Sequence, residues 1–375
     1  MIVWQSGTVT RIASERGCVQ EVDIAGTDGE TMKAIHYTDV MRPLRVGDRV
    51  KLNATAEALH LGSGGYHFVY EVCEENWVSD DNPASEENRR HPGHIMKLRY
   101  TPSQRAVLSV EEQASPHHAV FAEPRTLGGM PVLIGELHSM LPIASVWIRG
   151  SMQRAPRVSY VMTEGGALPI SFSRHVATLR DGGWLCGTIT YGHAYGGELE
   201  AVNKYTALLA ARHVQGADIA IAVMGPGIAG TGTPYGHTAT ELAELIHAVH
   251  ALGGTPIVIP RVSFADPRAR HFGVSAHLLH TLGKLALVRA AIPFPDELLD
   301  REKETVGRQL ASSGCAARHD IVRVPDVSLS ETEIRLASYP VPITTMGRGL
   351  RDDPSFYMAV CAAAQTAVSR VRGYE

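Results

Sequence analysis

The sequence predicts an α/β protein: a mostly parallel, doubly wound sheet preceded by a small β-rich, barrel-like N-terminal domain. Two observations predict it. Short segments of β-forming residues fill the first seventy positions with no amphipathic helix among them, and beyond position 95 apolar strand-length runs alternate with helix-length segments. The implied domains are 1–73, a linker or long loop at 74–94, and 95–375.

The N-terminal segments are Gly7–Ile12, Val19–Ile24, Met32–Tyr37, Arg49–Asn53 and His67–Val72, separated by turn-forming stretches such as "GTDGE" and "RVGD". In "GDRVKLN" a turn feeds a strand with Val50 and Leu52 on one face. Gly62, Gly64 and Gly65 supply a bulge or sharp bend before the last strand. The stretch 74–91, "EENWVSDDNPASEENRRH", has little to bury.

In the second domain the expected strands are Pro131–Gly135, Val158–Thr163, Leu185–Tyr191, Asp218–Met224, Pro256–Pro260, Leu285–Ala291 and Asp320–Val324. Several are continuous apolar runs, as strands covered on both faces require. The clearest helix is "TELAELIHAVHALGG", where Leu242, Leu245, Ile246, Val249 and Leu252 form one stripe, Thr238 and Glu241 have capping-box spacing, and Gly253 closes the end. Asp353-Pro354 starts an alanine-rich C-terminal helix, and "TTMGRG" ahead of it, with Thr344, Thr345 and Arg348, reads as one more strand-end loop.

Bulk properties limit the function. The chain has 375 residues, 44% of them hydrophobic, with 35 basic and 39 acidic side chains and a net charge of −4. That balance gives no general attraction to nucleic acid or an anionic membrane. No apolar run approaches the ~18–20 residues that span a bilayer. Cys18, Cys73, Cys186, Cys315 and Cys361 show no paired spacing, so neither a disulfide framework nor a cysteine zinc site is suggested. A cytoplasmic protein is expected, and homo-oligomerisation is left open.

In doubly wound sheets ligands sit outside the carboxyl ends of the strands. The loops expected there are polar: "GELHSMLP" with Glu136 and His138, "MTEGGALP" with Glu164, "TYGHAYGGELEAVN" with His193, Glu198 and Glu200, and "PRVSFADPRARHFG" with Arg261, Asp266, Arg268 and His271. The return loops "RDGG", "VQGA" and "LGGT" are short and plain. This asymmetry is the functional signal.

The loop "MGPGIAGTGTPYGHTATELAEL" packs five glycines into Gly225–Gly236. Glycines let a ligand approach main-chain amides, and the following helix adds N-terminal donors, so Gly227, Gly230, Thr231, Gly232 and Thr233 are candidate anion-binding residues. The alternative is a loop that merely lets strand and helix pack closely. It is not a Walker A loop, and "GPGIAG" meets the dinucleotide spacing only nominally.

His138, His193, Glu198, Asp266 and His271 are the candidate catalytic residues, as general acids and bases, with His277 near them. Glu164, Arg261 and Arg268 join the glycine loop as candidate ligand-binding residues. The histidines with Glu198, Glu200 or Asp266 either hold a divalent metal or simply order the loops; no His-Glu-x-x-His spacing decides it. Ser275 in "FGVSAH" reads as a helix N-cap or, less simply, a nucleophile, and Cys186 as a buried thiol.

Together "GYHFV", "HIMKLRYTP", "PVLIGELHSMLP", "YVMTEGGALP", "GHAYGGELEAVN", "MGPGIAGTGT", "RVSFADPR" and "TTMGRGL" resemble an uncharacterised bacterial family, domain of unknown function 3866. The resemblance spans nearly the whole chain, implies a bacterial protein with a β-rich N-terminal part, and brings no reaction or catalytic residue. The residues themselves favour a hydrolase or group transferase acting on a small anionic, phosphorylated or carboxylated metabolite. The alternative is a non-catalytic metabolite sensor signalling through the N-terminal domain. A nucleic-acid partner is disfavoured, because the barrel segment has neither an aromatic stacking motif nor a dense basic stripe.

Overall fold

The computed structural model describes residues 2–27, 29–60, 64–73, 93–101, 103–151, 155–166 and 168–372, and divides the chain into two compact units. One takes in residues 1–91 and 101–103, the other 92–100 and 104–375. The expected bend at Gly62 and all of the expected linker except Gly93 and His94 lie outside the described residues.

The first unit is a closed barrel of β1 (Trp4–Arg16), β2 (Val19–Gly26), β3 (Thr31–Tyr37), β4 (Arg49–Asn53) and β5 (Tyr66–Val72), in the order β1-β2-β3-β5-β4. Neighbours are antiparallel except β3 and β5, and β1 closes the ring on β4. Val9, Val22, Ile24, Ala34, Val50, Leu52 and Val69 fill the interior. Val50 and Leu52 alternate inward as the sequence pattern requires. At Gly7 the β1 and β2 backbones come so close that a β-carbon would stand 2.5 Å from the Ala25 carbonyl oxygen. Closure leaves no unpaired strand edge, which is how so small a sheet avoids edge-to-edge association.

The second unit opens with the antiparallel pair β6 (Ile95–Lys97) and β7 (Arg105–Val107), then builds an eight-stranded, all-parallel sheet. Its strands are β8 (Pro131–Gly135), β9 (Val158–Thr163), β10 (Gly187–Tyr191), β11 (Leu199–Ala201), β12 (Ile219–Met224), β13 (Thr255–Val258), β16 (Ala291–Pro295) and β17 (Asp320–Val324). Between β13 and β16 lies a small antiparallel ribbon of β14 (Val262–Ser263) and β15 (Gly273–Val274). The sheet order is β11-β10-β9-β12-β8-β13-β16-β17.

Helices cover both faces. Met140–Arg149, Arg174–Asp181 and the long C-terminal Pro354–Arg372 pack in one apolar cluster, and Lys204–His213, Glu241–Ala251 and Asp300–Ser312 in the other. The central strands β8, β9, β10 and β12 are buried along their whole length, which explains the unbroken apolar runs of β8 and β12.

Three elements depart from expectation. The segment 285–291 is not a strand: Thr281–Leu285 forms a π-helical turn continuing Ala276–His280, and β16 begins at Ala291. Pro293 and Pro295 then lie inside a parallel strand, where proline gives no ladder donor, and pairing with β13 shrinks to Ile257 opposite Ala291. The polar stretch after His193 contains β11, paired with β10 from Ile189 to Tyr191. The capping box does not form: Thr238–Thr240 is a 3₁₀ turn, and Glu241 bonds elsewhere.

Candidate functional site

The order of the strands creates the crevice. From β8 the chain leaves through Met140–Arg149 on one face to reach β9, while from the adjacent β12 it leaves through Glu241–Ala251 on the opposite face to reach β13. Neighbouring strands whose chains diverge in this way open a gap at their carboxyl ends. Glu136 and His138 follow β8, the glycine loop follows β12, and Arg261 follows β13.

Arg261 and Glu136 are the buried charges of this crevice, exposed by only 4% and 1%. Arg261 Nη1 lies 3.6 Å from Glu136 Oε1, beyond hydrogen-bond reach. Neither buried Glu136 oxygen has a hydrogen-bond partner within normal distance. Burial pushes the Glu136 carboxyl above its ordinary value, and Arg261 only partly opposes it.

Beside Arg261 three imidazoles meet. His237 and His277 stack at 4.1 Å with planes 8° apart, and His271 meets His277 edge-on at 5.1 Å. His271 Nδ1 bonds Ser275 Oγ at 3.0 Å, whereas both ring nitrogens of His277 are buried without a partner. Desolvation, with Arg261 and Arg268 adding to it, holds His271 down to about 3. Desolvation, with His237 and Arg261, holds His277 down to about 4. Both rings are therefore neutral near pH 7.

The glycine loop is the arm that roofs these rings. Gly230 bridges antiparallel to His237, and a β-carbon on Gly230 would stand 2.8 Å from His277 Cε1. Part of the expected anion cradle is taken up by bonds within the loop. The Thr231 amide donates to the Gly236 carbonyl at 2.8 Å. Thr231 and Thr233 hydroxyls bond each other at 2.9 Å, and Thr233 Oγ1 accepts from the Gly236 amide. Gly227 and Gly232 take positive φ, as turn glycines. The 3₁₀ turn before Glu241 consumes donors that a free helix end would have offered. Of the candidate amides the hairpin thus takes up that of Thr231.

The remaining expected residues separate. Asp266 is a structural anchor, not a base: Arg268 binds both its oxygens, at 2.9 and 2.7 Å, and Arg348 reaches it at 3.2 Å. These bonds, Arg268 first, hold its carboxyl far below the usual range and occupy Arg268 itself. Arg348 also bonds Asp353 at 3.0 Å, so the C-terminal loop does join this edge of the sheet. His138 reaches across the crevice to the Met224 carbonyl at 3.3 Å, with Nε2 2.6 Å from Ser173 Oγ. Ser173 caps the Arg174–Asp181 helix through the Val176 amide, and burial with His175 lowers His138 to about 4. Ser275 precedes the Ala276–His280 helix, its hydroxyl committed to His271.

His193 lies further along the edge, accepting the Leu98 amide on Nδ1 at 3.1 Å. Glu198 leaves the site altogether, pairing with Arg180 at 2.9 Å on the surface while its amide bonds Thr188 in mid-strand. Glu164 is exposed and lies over Gly192, where a β-carbon would strike its carboxylate. Near it Glu241 accepts from Thr163 at 2.7 Å and Tyr191 at 2.8 Å, and burial, reinforced by Glu164, raises its carboxyl. Cys186 is half-buried, whereas Cys315 and Cys361 are buried. Among the described residues no three metal-ligating side chains converge on one point. The stacked rings of His237 and His277 lie side by side instead.

Sequence reasoning passed over His237 and gave Glu136 no role. His237 carried no signal, being one of 18 histidines; Glu136 did carry one, an acidic residue directly after a wholly apolar strand.

Fold and site together define a doubly wound α/β protein with an N-terminal closed barrel and a charged crevice at the sheet's switch point. The chain belongs to the family described as Protein of unknown function (DUF3866), whose model matches residues 33–364. No curated protein and no solved structure matches it. Among the described residues no helix is long and apolar enough to cross a membrane.

Proposed function

We propose that the protein is an enzyme, a hydrolase or group transferase, that holds a small anionic metabolite at Arg261 and moves its proton through His277. One observation carries this reading: a buried guanidinium held 3.6 Å from a carboxylate whose two oxygens lack a hydrogen-bond partner, beside a buried neutral imidazole whose two nitrogens lack one too. Structural arginines are normally tied by hydrogen bonds, as Arg268 and Arg348 are, because leaving buried polar groups unmade costs about 1–3 kcal/mol each. An anion at Arg261 would complete the set, and a neutral histidine within the same cluster supplies the base that hydrolysis or transfer needs.

The test is a thermal-shift panel of carboxylates, phosphate, nucleotides and sugar phosphates on wild type and Arg261→Gln, followed by turnover assays of whatever binds. Stabilisation by an anion that Arg261→Gln loses supports the site. Turnover by wild type and not by His277→Ala supports the enzyme, whereas binding without turnover favours a metabolite sensor. A wild type indifferent to every anion removes the proposal.

A further inference from the structure

Arg261 and Glu136 present opposite needs side by side. The guanidinium brings a planar set of N–H donors that stops 3.6 Å short of the carboxylate; the carboxylate, wholly buried, offers two oxygens without a donor. They stand 3.6 Å apart at closest approach, where a bonded Arg–carboxylate fork would close to about 2.7–2.9 Å. The pair thus gains some mutual attraction and leaves the carboxylate's hydrogen-bond capacity open. A plain anion entering here would satisfy Arg261 but bring its negative charge against Glu136, a repulsion that low-dielectric surroundings strengthen. A ligand carrying a positive donor next to its acid group would meet both residues at once.

We propose, building on the Arg261 reading above, that the ligand is a zwitterion of the α-amino-acid type, its carboxylate on Arg261 and its ammonium on Glu136. The ammonium has three N–H donors for the two orphaned Glu136 oxygens, and the carboxylate accepts the guanidinium fork in plane. Charge stays balanced inside the crevice: two opposite charges enter and meet two opposite charges. That balance is what makes full burial of all four groups tolerable.

The experiment uses the full-length protein at pH 7.5 and matched sets of probes. Each of the twenty L-α-amino acids is compared by thermal shift and calorimetry with its deaminated acid and its decarboxylated amine. At least one amino acid is expected to bind at least tenfold tighter than either of its single-charge halves. Arg261→Gln is expected to lose the amino acid and the deaminated acid alike. Glu136→Gln is expected to weaken the amino acid at least tenfold and leave the deaminated acid unchanged or tighter. Deaminated acids binding wild type as tightly as amino acids would overturn the inference, as would a Glu136→Gln protein that keeps its amino-acid affinity. Phosphate or other anions binding while no amino acid does would also overturn it. In those cases anion binding at Arg261 survives; if no anion binds wild type, both readings fall. The wild-type comparison stands even if the Glu136 variant does not fold.

Discussion

Gly230 lies against the His277 ring so closely that a β-carbon would come within 2.8 Å of Cε1. This contact fixes the glycine arm to the histidine cluster, because the same segment also carries His237 onto His277 and Tyr235 edge-on to His280 at 4.6 Å. Gly230→Ala must therefore lift the arm or turn the ring. Since the arm is exposed and can yield, the expected loss of stability is only about 1 kcal/mol, at the low end for overpacking. The activity proposed for His277 should fall far more than the melting temperature, and paired thermal and turnover measurements check this.

Arg261 and Asp266 should behave oppositely when their charges are removed. Asp266→Asn leaves Arg268 and Arg348 without their carboxylate. It should cost about 2 kcal/mol, below the 3–5 of a fully buried pair because both guanidiniums are partly solvated. The double replacement Arg261→Met with Glu136→Leu removes a buried pair that makes no hydrogen bond, and should raise stability by about 1–4 kcal/mol. Urea unfolding of the two variants against wild type decides the matter.

Acid should weaken the fold in two windows. His271 and His277 are held to about 3 and about 4, below the ordinary 6.5 of the unfolded chain. The unfolded state then binds more protons, so their stability is full above pH 6.5 and drains as pH falls toward 4. Asp266 acts later: its lowered carboxyl contributes above the usual carboxylate value and is lost only below about 3.8. Unfolding free energies across pH 3–8 should decline between 6.5 and 4 in wild type, and less steeply in His277→Phe.

Lys97 holds β6 against the edge of the sheet. Its buried ammonium donates to the Ala194 carbonyl at 3.1 Å and the Ala201 carbonyl at 3.3 Å, and pairs with Glu200 at 3.2 Å. Lys97→Met strands Glu200, which keeps its bonds from Thr190 and the Gly196 amide, so a loss of about 3 kcal/mol is expected. Adding Glu200→Gln should recover much of that loss. A double-mutant cycle measured by urea unfolding tests the coupling.

The fold was readable where local pattern and burial agree. The runs at β8 and β12 are apolar because both faces are covered, and Val50 and Leu52 alternate because one barrel face is. The strand at 285–291 was misplaced because an apolar run looks alike in a buried strand and a buried helical turn, while the true strand hides behind two prolines. In the site, Arg261 and His271 could be named from their place after a strand. Glu198 and Asp266 looked equivalent to them, and only their partners, Arg180 for one and Arg268 with Arg348 for the other, separate an occupied carboxylate from an open one.

The amino-acid order alone determines that this chain makes a small barrel and a doubly wound sheet, since hydrophobic periodicity and turn residues act over a few neighbours. It also determines that polar loops gather at the strand ends, because alternation of strand and helix sends every such loop to the same edge. Which of those polar groups remain unfilled was decided only by the tertiary structure. Glu136 and Arg261 are 125 positions apart, and Gly230 and His277 are 47 apart. Hydrogen bonding is short-ranged and saturable, so whether a donor is spent depends on what folds against it.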